Sequence, residues 1–389
     1  MSLKLKLLID YYVGGLAHAL LKLPTILLGM IMRRDHDLAH CSSVTVIKML
    51  GGGSLVIAYP VLLALKQFGR VRRLRLVTSP AGRPFGEMLG VFDEIITLRD
   101  QSLATLALDS LGAIRRLFGC DAIIDLEIHS RLTTVFSLFT CARNRVGFYT
   151  GMSFWRRNLS SHLLFRNVSN GIYDSYDQLA TLFGAAVPEF RTCSSTFRSH
   201  LALPASHQAA SPMRLGIAPC CSGLSSERTL RAAEWVEVLA RGVADGDIAT
   251  PCQVHLFGAP SDREGLDELG RLLVGALPGL AIVNHAGEKL RDSVTLLDTL
   301  DRVYCIDSAL LHFARLLGKP TVSFWGPTDP RVQLRPSAVA LETTNYAKLS
   351  CSPCVHAVDR PPCRGNNLCM RLAANPRARE GRNPLWVIQ

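Results

Sequence analysis

Asp307 and Ser308 stand where a short apolar run, Arg302–Ile306, gives way to a helical pattern, and His312 follows one turn later. An acid and a hydroxyl at such a junction cap a helix. A helix start offers free backbone N–H groups and the positive end of the helix dipole, so the chemistry it suits is the holding of a diphosphate. The full string runs Cys305-Ile306-Asp307-Ser308-Ala309-Leu310-Leu311-His312, then Gly318-Lys319-Pro320, then Phe324-Trp325-Gly326-Pro327-Thr328-Asp329-Pro330. A capped helix in an ordinary α/β domain accounts for the start of this string but not for all of it. Upstream, the stretch from Pro219 to Trp235 places Arg228 among Ser222, Ser225 and Ser226. A guanidinium with hydroxyls around it also suits a diphosphate. Its plain alternative is a basic residue on a solvated loop.

Four cysteines near the C-terminus have another chemistry in prospect. Cys351 and Cys354 are spaced C-x2-C, and Cys363 and Cys369 are spaced C-x5-C. A C-x2-C turn lets two sulfurs share one tetrahedral ion, and four thiolates suit a structural zinc or iron with no position left open for catalysis. Buried reduced thiols are the competing reading. The other eight of the 12 cysteines are scattered singly or as Cys220-Cys221, in a chain too long and too apolar for a disulfide scaffold. That pattern suits a reducing cytosol.

The elements that position these residues are legible as two rounds of alternation. In the first, apolar strands at Val44–Leu50, Leu74–Thr78, Glu94–Leu98 and Asp121–Leu126 alternate with helical patterns at Ser54–Phe68 and Leu103–Phe118. Asn170–Phe183 reads as a helix leaving this domain, with Gly184 placed to end it. Residues 191–212, rich in Ser, Ala, Thr and Pro, read as a linker. The second round has strands at Arg214–Ala218, Gln253–Phe257, Ala281–Asn284, Arg302–Ile306 and Thr321–Phe324, with helices at Ala232–Val243 and Ser261–Val274. Such βα alternation predicts two Rossmann-like α/β domains, residues 41–190 and 213–345, with a Cys-rich segment at 346–389. Ligands are expected in a cleft beyond the carboxyl ends of the strands.

Residues 1–40 read differently. From Leu3 to Met32 the chain is strongly apolar, but Lys6, Asp10, Gly14, His18 and Lys22 recur every four residues as one polar stripe. Leu7, Leu8, Tyr11, Val13, Leu16 and Leu20 fill the rest, Pro24 interrupts the run, and Arg33-Arg34 close it. This predicts an amphipathic helix in the headgroup layer of an anionic leaflet, with a docking helix over the first domain as the alternative. A secretory signal is disfavoured, because the run carries charges and no small-x-small site follows.

Across 389 residues, a net charge of +11 needs an anionic partner or surface. The basic residues form only small clusters, Arg33-Arg34, Arg72-Arg73 and Arg156-Arg157, and no basic stripe is interleaved with aromatics. Nucleic acid is therefore excluded in favour of a membrane surface and phosphorylated ligands. A hydrophobic content of 48% with 19% charge excludes disorder. A dinucleotide-dependent oxidoreductase is disfavoured, since Gly51-Gly52-Gly53 lacks G-x-G-x-x-G spacing and Val77-Thr78 offers no ribose-binding acid.

Taken together, these stretches resemble the heptosyltransferase family, glycosyltransferase family 9, over roughly residues 44–370. That family carries D-[S/T]-G-x-x-H, then G-x-P, then a strand ending in F-G-P-T. The chain matches with Ala309 in place of the Gly and Trp325 inserted before Gly326. From Pro219, Arg228 takes the family's basic position and Ser222 its Gly position, while Leu230-Arg231 replace a Trp-Pro pair. In the first domain, Gly53 to Pro60 keeps the spacing of G-D-x-x-x-x-x-P, but Ser54 stands where many members have Asp. The resemblance makes that position the general base on the acceptor hydroxyl. A serine has no useful basicity near neutral pH, so the role must move. Glu127 and His129, alternating at the end of the fourth strand and so pointing the same way, are the candidates. Structural capping is the alternative reading of both.

What the resemblance implies is a GT-B type enzyme that inverts configuration while moving heptose from ADP-heptose to a lipid-anchored glycan such as lipopolysaccharide. Arg228, Asp307, Ser308, Ala309 and His312 would surround the donor diphosphate, and no catalytic metal is expected. Some family members hold iron on similar C-terminal cysteines. The enzyme would lie in the cytoplasm, peripheral on the inner face of the cytoplasmic membrane. Two alternatives stay open: the same fold using another nucleotide sugar, and a nucleotide-sugar-binding protein that has lost its base.

Overall fold

The computed structural model describes residues 3–375, apart from 33–34, 39, 205–211, 222–224, 339, 356, 359–360 and 362. Its contacts divide the chain into two units, Met1–Glu189 and Phe190–Gln389. The first unit contains α1 Leu3–Met32, β1 Ser43–Ile47, α2 Gly52–Leu63, β2 Arg73–Thr78, α3 Arg83–Leu89 and β3 Glu94–Thr97. It continues with α4 Leu103–Leu117, β4 Ala122–Asp125, α5 Arg131–Phe139, β5 Asn144–Tyr149, β6 His162–Phe165 and α6 Ile172–Leu182. All its strands are parallel, in the order β3-β2-β1-β4-β5-β6.

The second unit opens with α7 Phe190–His200, β7 Met213–Ala218, α8 Ala232–Ala244, β8 Cys252–Leu256, α9 Arg263–Ala276, β9 Leu280–Asn284 and α10 Leu290–Asp298. It ends with β10 Arg302–Ile306, α11 Ala309–Leu316, β11 Thr321–Trp325, α12 Pro330–Gln333, β12 Glu342–Tyr346 and α13 Leu368–Ala374. Its parallel sheet, β12-β11-β10-β7-β8-β9, repeats the order of the first. Both are doubly wound Rossmann-like sheets, and in each the strand order reverses beside the first strand, between β1 and β4 and between β7 and β10. Buried central strands such as Val44–Ile47 and Val303–Ile306 are almost wholly apolar, as a sheet covered on both faces requires. The second core is anchored by Trp235 of α8, whose ring meets Phe324 of β11 edge-on at 5.5 Å.

Two expectations need correcting here. The stretch read as a linker begins as α7, because Cys193 and Phe197, one helical turn apart, are fully buried, and Phe197 stacks on Phe313 at 5.8 Å. The rest of that stretch, 205–211, lies outside the described residues. The second correction concerns α1, which runs through Pro24 to Met32 without interruption. Its polar stripe faces the protein instead of the surroundings. Asp10, Gly14 and His18 lie against α5, and Lys6 pairs with Asp100. Gly14 is buried so closely that an added Cβ would sit 2.6 Å from the Cβ of Arg131. The apolar face is the one left open, with Leu16 at 63%, Leu20 at 66% and Ile31 at 77% exposure. Arg33 and Arg34 fall outside the described residues.

Candidate functional site

In the second unit, β7 and β10 lead into the two loops that flank its switch point. The loop after β7 curls through a short 3-10 turn, Ser226–Arg228, and Arg228 reaches the end of β10. Its Nη1 donates to the carbonyl oxygen of Asp307 at 3.0 Å and lies 3.4 Å from the Asp307 carboxylate, while its Nε donates to the Ser225 carbonyl at 3.3 Å. Ser225 is buried, and its hydroxyl donates to Glu227. Ser222 lies outside the described residues.

Ser308 is the N-cap of α11 in extended conformation, yet its side chain makes no capping bond, and its buried Oγ has no hydrogen-bond partner. The Asp307 side chain does not cap either, because it is turned to Arg228 and to His312, whose Nε2 is 3.8 Å from Oδ1. An orphan hydroxyl, the free N–H groups of Ala309 and the residues after it, and a guanidinium held beside them make an anion cradle. His312 is a buried member of this group. Burial lowers its pKa to about 4, with Arg315 and Arg228 acting in the same direction and Asp307 opposing them. At neutral pH it is therefore an uncharged imidazole packed beside Asp307, not a cation for the ligand.

The next loop belongs to the same structure. Trp325 ends β11 fully buried, its indole N–H donating to Ser323 at 2.7 Å. Pro327 accepts backbone bonds from Cys354 and Val355, both at 3.0 Å, and a Cβ on Gly326 would meet the Cys369 sulfur at 2.6 Å. The Cys-rich segment thus braces the Gly326-Pro327-Thr328 loop. Cys351 is exposed, Cys354 and Cys363 are half-buried and Cys369 is buried. Burial raises the Cys369 thiol to about 11, and the other three thiols push it the same way, so all four are electrostatic neighbours. Among the described residues, however, no three His, Cys, Asp or Glu side chains are grouped to hold a metal ion. The four-thiolate set expected from spacing is not assembled as the side chains stand.

In the first unit, the loops after β1 and β4 flank the equivalent switch point. Gly51, at φ 76°, is the N-cap of α2, and Ser54 lies in the first turn of that helix, where its side chain bonds Tyr176 of α6. Glu127 and His129 do not alternate on a strand, because β4 ends at Asp125. The Glu127 carboxylate bends back to accept the N–H groups of Met49 and Leu50, both at 2.7 Å, and pairs with Lys48 at 3.1 Å. With those lone pairs engaged it positions the glycine-rich turn and is poorly placed as a base. His129 stays exposed in the turn that follows. Partial shielding from water, then Arg166 and Arg156, hold its pKa below the ordinary histidine value, against the pull of Glu127. That leaves a neutral, reachable imidazole.

Several residues of this site escape sequence reasoning. Arg156, read only as one of a small basic pair, has no exposure at all: it pairs with Asp125 at 3.2 Å and donates to the carbonyls of Glu127 and Ser130. Lys48 is signalled only by a charge at the end of an apolar run, and Tyr176 and Arg166 by nothing local.

Two doubly wound units with phosphate-type geometry at one switch point narrow the choice, and sequence comparison settles it. The sequence model of glycosyltransferase family 9 (heptosyltransferase) matches residues 113–363, more than half of the chain. The chain belongs to glycosyltransferase family 9. No curated protein matches it by sequence. Its fold resembles that of a family 9 glycosyl transferase from Veillonella parvula, with a TM-score of 0.58 at 16% identity over 80% of this chain and 87% of that one. ADP-heptose lps heptosyltransferase II of E. coli gives 0.57 at 17% identity over 86% and 99%. The E. coli heptosyltransferase WaaC with ADP gives 0.58 at 14% identity over 78% and 93%. This glycosyltransferase therefore has the heptosyltransferase fold along most of its length.

Proposed function

We propose that this family 9 glycosyltransferase moves heptose from ADP-heptose to a hydroxyl of a lipid-anchored glycan, with inversion. The observation that carries the reading is the unpartnered Ser308 hydroxyl at the start of α11, with Arg228 tied beside it through Asp307. That cradle suits a diphosphate, and two of the structural relatives are WaaC with ADP and with ADP-2-deoxy-2-fluoro heptose. The second unit is assigned the donor and the first the acceptor. In the reaction, an acceptor oxygen forms its bond to the anomeric carbon as the bond from that carbon to the β-phosphate oxygen breaks. The electron pair leaves with ADP, and the acceptor proton passes to His129. A single displacement of this kind inverts the centre. Arg228 and the α11 dipole stabilise charge growing on the leaving diphosphate.

The open apolar face of α1 supports a place at the inner surface of the cytoplasmic membrane. The helix is long and apolar enough to cross a membrane, with a mean hydropathy of 1.6 over its most apolar window. Its polar stripe is already spent on α5, so lipid is the partner its other face fits. The C-terminal cysteines are assigned a structural zinc or iron that would draw the four neighbouring sulfurs together. Metal analysis of the purified chain, set against a Cys351→Ser/Cys354→Ser variant, tests that assignment.

The central experiment is calorimetry of ADP, UDP and GDP binding, with Arg228→Ala as control. Selective ADP binding that fails in the variant supports the donor reading. Preference for UDP or GDP changes the sugar, and no binding to any of the three overturns it. Binding of ADP-heptose without ADP release would favour a protein that has lost its base, a reading supported by Ser54 being bonded to Tyr176.

A further inference from the structure

Asp10 of α1 makes an unusual connection for a residue of a terminal helix. Its Oδ2 accepts the backbone N–H of Arg131 at 2.9 Å, and its Oδ1 accepts the N–H of Leu132 at 3.0 Å and the hydroxyl of Ser130 at 2.6 Å. These are donors at the start of α5, which Ser130 already caps through Thr133 at 3.3 Å. A carboxylate from a distant helix thus completes the N-terminus of α5, where the helix dipole favours negative charge. The next residue back along the chain is His129.

Besides the bonds of the Glu127 carboxylate to Lys48, Met49 and Leu50, the turn from Leu126 to Ser130 has three further side-chain ties. Asp125 accepts the N–H of Glu127 at 2.9 Å at its start, and Arg156 gathers the carbonyls of Glu127 and Ser130 from beneath. The third tie is Asp10, and it comes from α1. Two further contacts fix α1 to the same place: His18 Nε2 lies 3.0 Å from the Arg131 carbonyl, and Arg131 donates to the Tyr11 carbonyl at 2.8 Å. We infer that Asp10 is a positioning residue for the reaction, holding the turn that presents His129 and making the seating of α1 a condition for a competent base. The inference rests on the reading of His129 as the base.

The test is ADP release from ADP-heptose by the full-length chain, followed against pH, for Asp10→Ala, Asp10→Asn and His129→Ala. The charged groups acting on His129 are Arg166 beyond β6, Arg156 beyond β5, Lys48 beyond β1 and Glu127 in its own turn. Around Asp10 stand Arg131 and His18. When the turn slackens, His129 loses its shielding and its closeness to Arg166 and Arg156, so its pKa rises toward the ordinary value. Asp10→Ala is expected to lower kcat about tenfold, leave KM for ADP-heptose unchanged and move the acid limb of the kcat profile upward. A purely stabilising contact would not move that limb.

Thermal melting and hydrogen exchange at the start of α5 report whether the first unit of the variant is folded, which ADP binding to the second unit would not. If Asp10→Ala does not fold, Asp10→Asn decides: its amide oxygen still accepts, so an intermediate kcat is expected, and a wild-type kcat and profile overturn the inference. Wild-type kcat in Asp10→Ala alongside a strong loss in His129→Ala overturns the role of Asp10 alone. Full activity in His129→Ala overturns the base reading beneath it.

Discussion

Arg228 donates to the carbonyl oxygen of Asp307 at 3.0 Å, which joins the loop after β7 to the loop after β10 at the point where the second sheet reverses its order. The guanidinium is thereby fixed beside the start of α11. Charge-assisted bonds of this type contribute roughly 1.5–3 kcal/mol. Arg228→Ala should therefore weaken ADP binding by about 10–100-fold. Arg228→Lys should recover only part of it, because an ammonium cannot hold Asp307 and a phosphate in one plane. Calorimetry of the three proteins checks this, and equal affinities would remove Arg228 from the donor site.

The His129 pKa is held below the ordinary histidine value, so the neutral, proton-accepting form dominates at pH 7. Activity should stay level from neutral pH downward, then fall only below about 6.5 as the ring takes up its proton. His129→Ala should cost about 10²–10⁴-fold in kcat and abolish that limb. A limb that persists in the variant would assign it to another group.

How far the site can be read from sequence follows from how local its causes are. Asp307 and Ser308 lie at a strand end that the apolar run marks out, Arg228 follows in the loop after β7, and both sheets follow from βα alternation. Three strands are missing from that reading. β5, Asn144–Tyr149, and β6, His162–Phe165, mix polar residues and Gly into short runs, and β12, Glu342–Tyr346, is an almost wholly polar edge strand. The four-residue stripe on α1 looks the same whichever way it faces. Its direction is decided by Arg131 and Trp155, far along the chain, with the His18 ring 4.5 Å from that of Trp155. Glu127 looks like a free acid until the N–H groups of Met49 and Leu50, with no side-chain signature, claim it.

The open face of α1 leads to a membrane prediction. Leu16 and Leu20 contribute nothing to the interior, at 63% and 66% exposure, so Leu16→Glu/Leu20→Glu should leave the melting temperature unchanged. If that face sits in lipid, each leucine contributes roughly 1.5–3 kcal/mol to the partition. Sedimentation with anionic vesicles should then fall at least about 100-fold. Retained binding would move the contact elsewhere.

Gly14 tests the docking itself. A side chain there meets the Cβ of Arg131 at 2.6 Å, an atom fixed to the α5 backbone that cannot swing aside. Gly14→Val should cost about 1–3 kcal/mol through overpacking and raise hydrogen exchange along α1 and at the start of α5. Protection unchanged in both helices would mean that α1 is held by something other than this contact.

The last prediction concerns acid stability of the second unit. His312 and His255 are both buried, and burial is the main cause lowering each to about 4. In the unfolded chain both titrate near 6.5. Between those values the unfolded state binds protons that the folded state refuses, so stability is complete above about 6.5 and drains away as pH falls toward 4. Two such groups give a slope of up to about 2.7 kcal/mol per pH unit. His312→Gln removes one of them, so denaturant unfolding between pH 6 and 5 should show roughly half the wild-type dependence on pH. The variant should also be less stable at pH 7, where the neutral imidazole fills its site beside Asp307. An unchanged slope would mean that His312 is protonated in the folded protein, and Asp307 would then be its ion-pair partner at the start of α11.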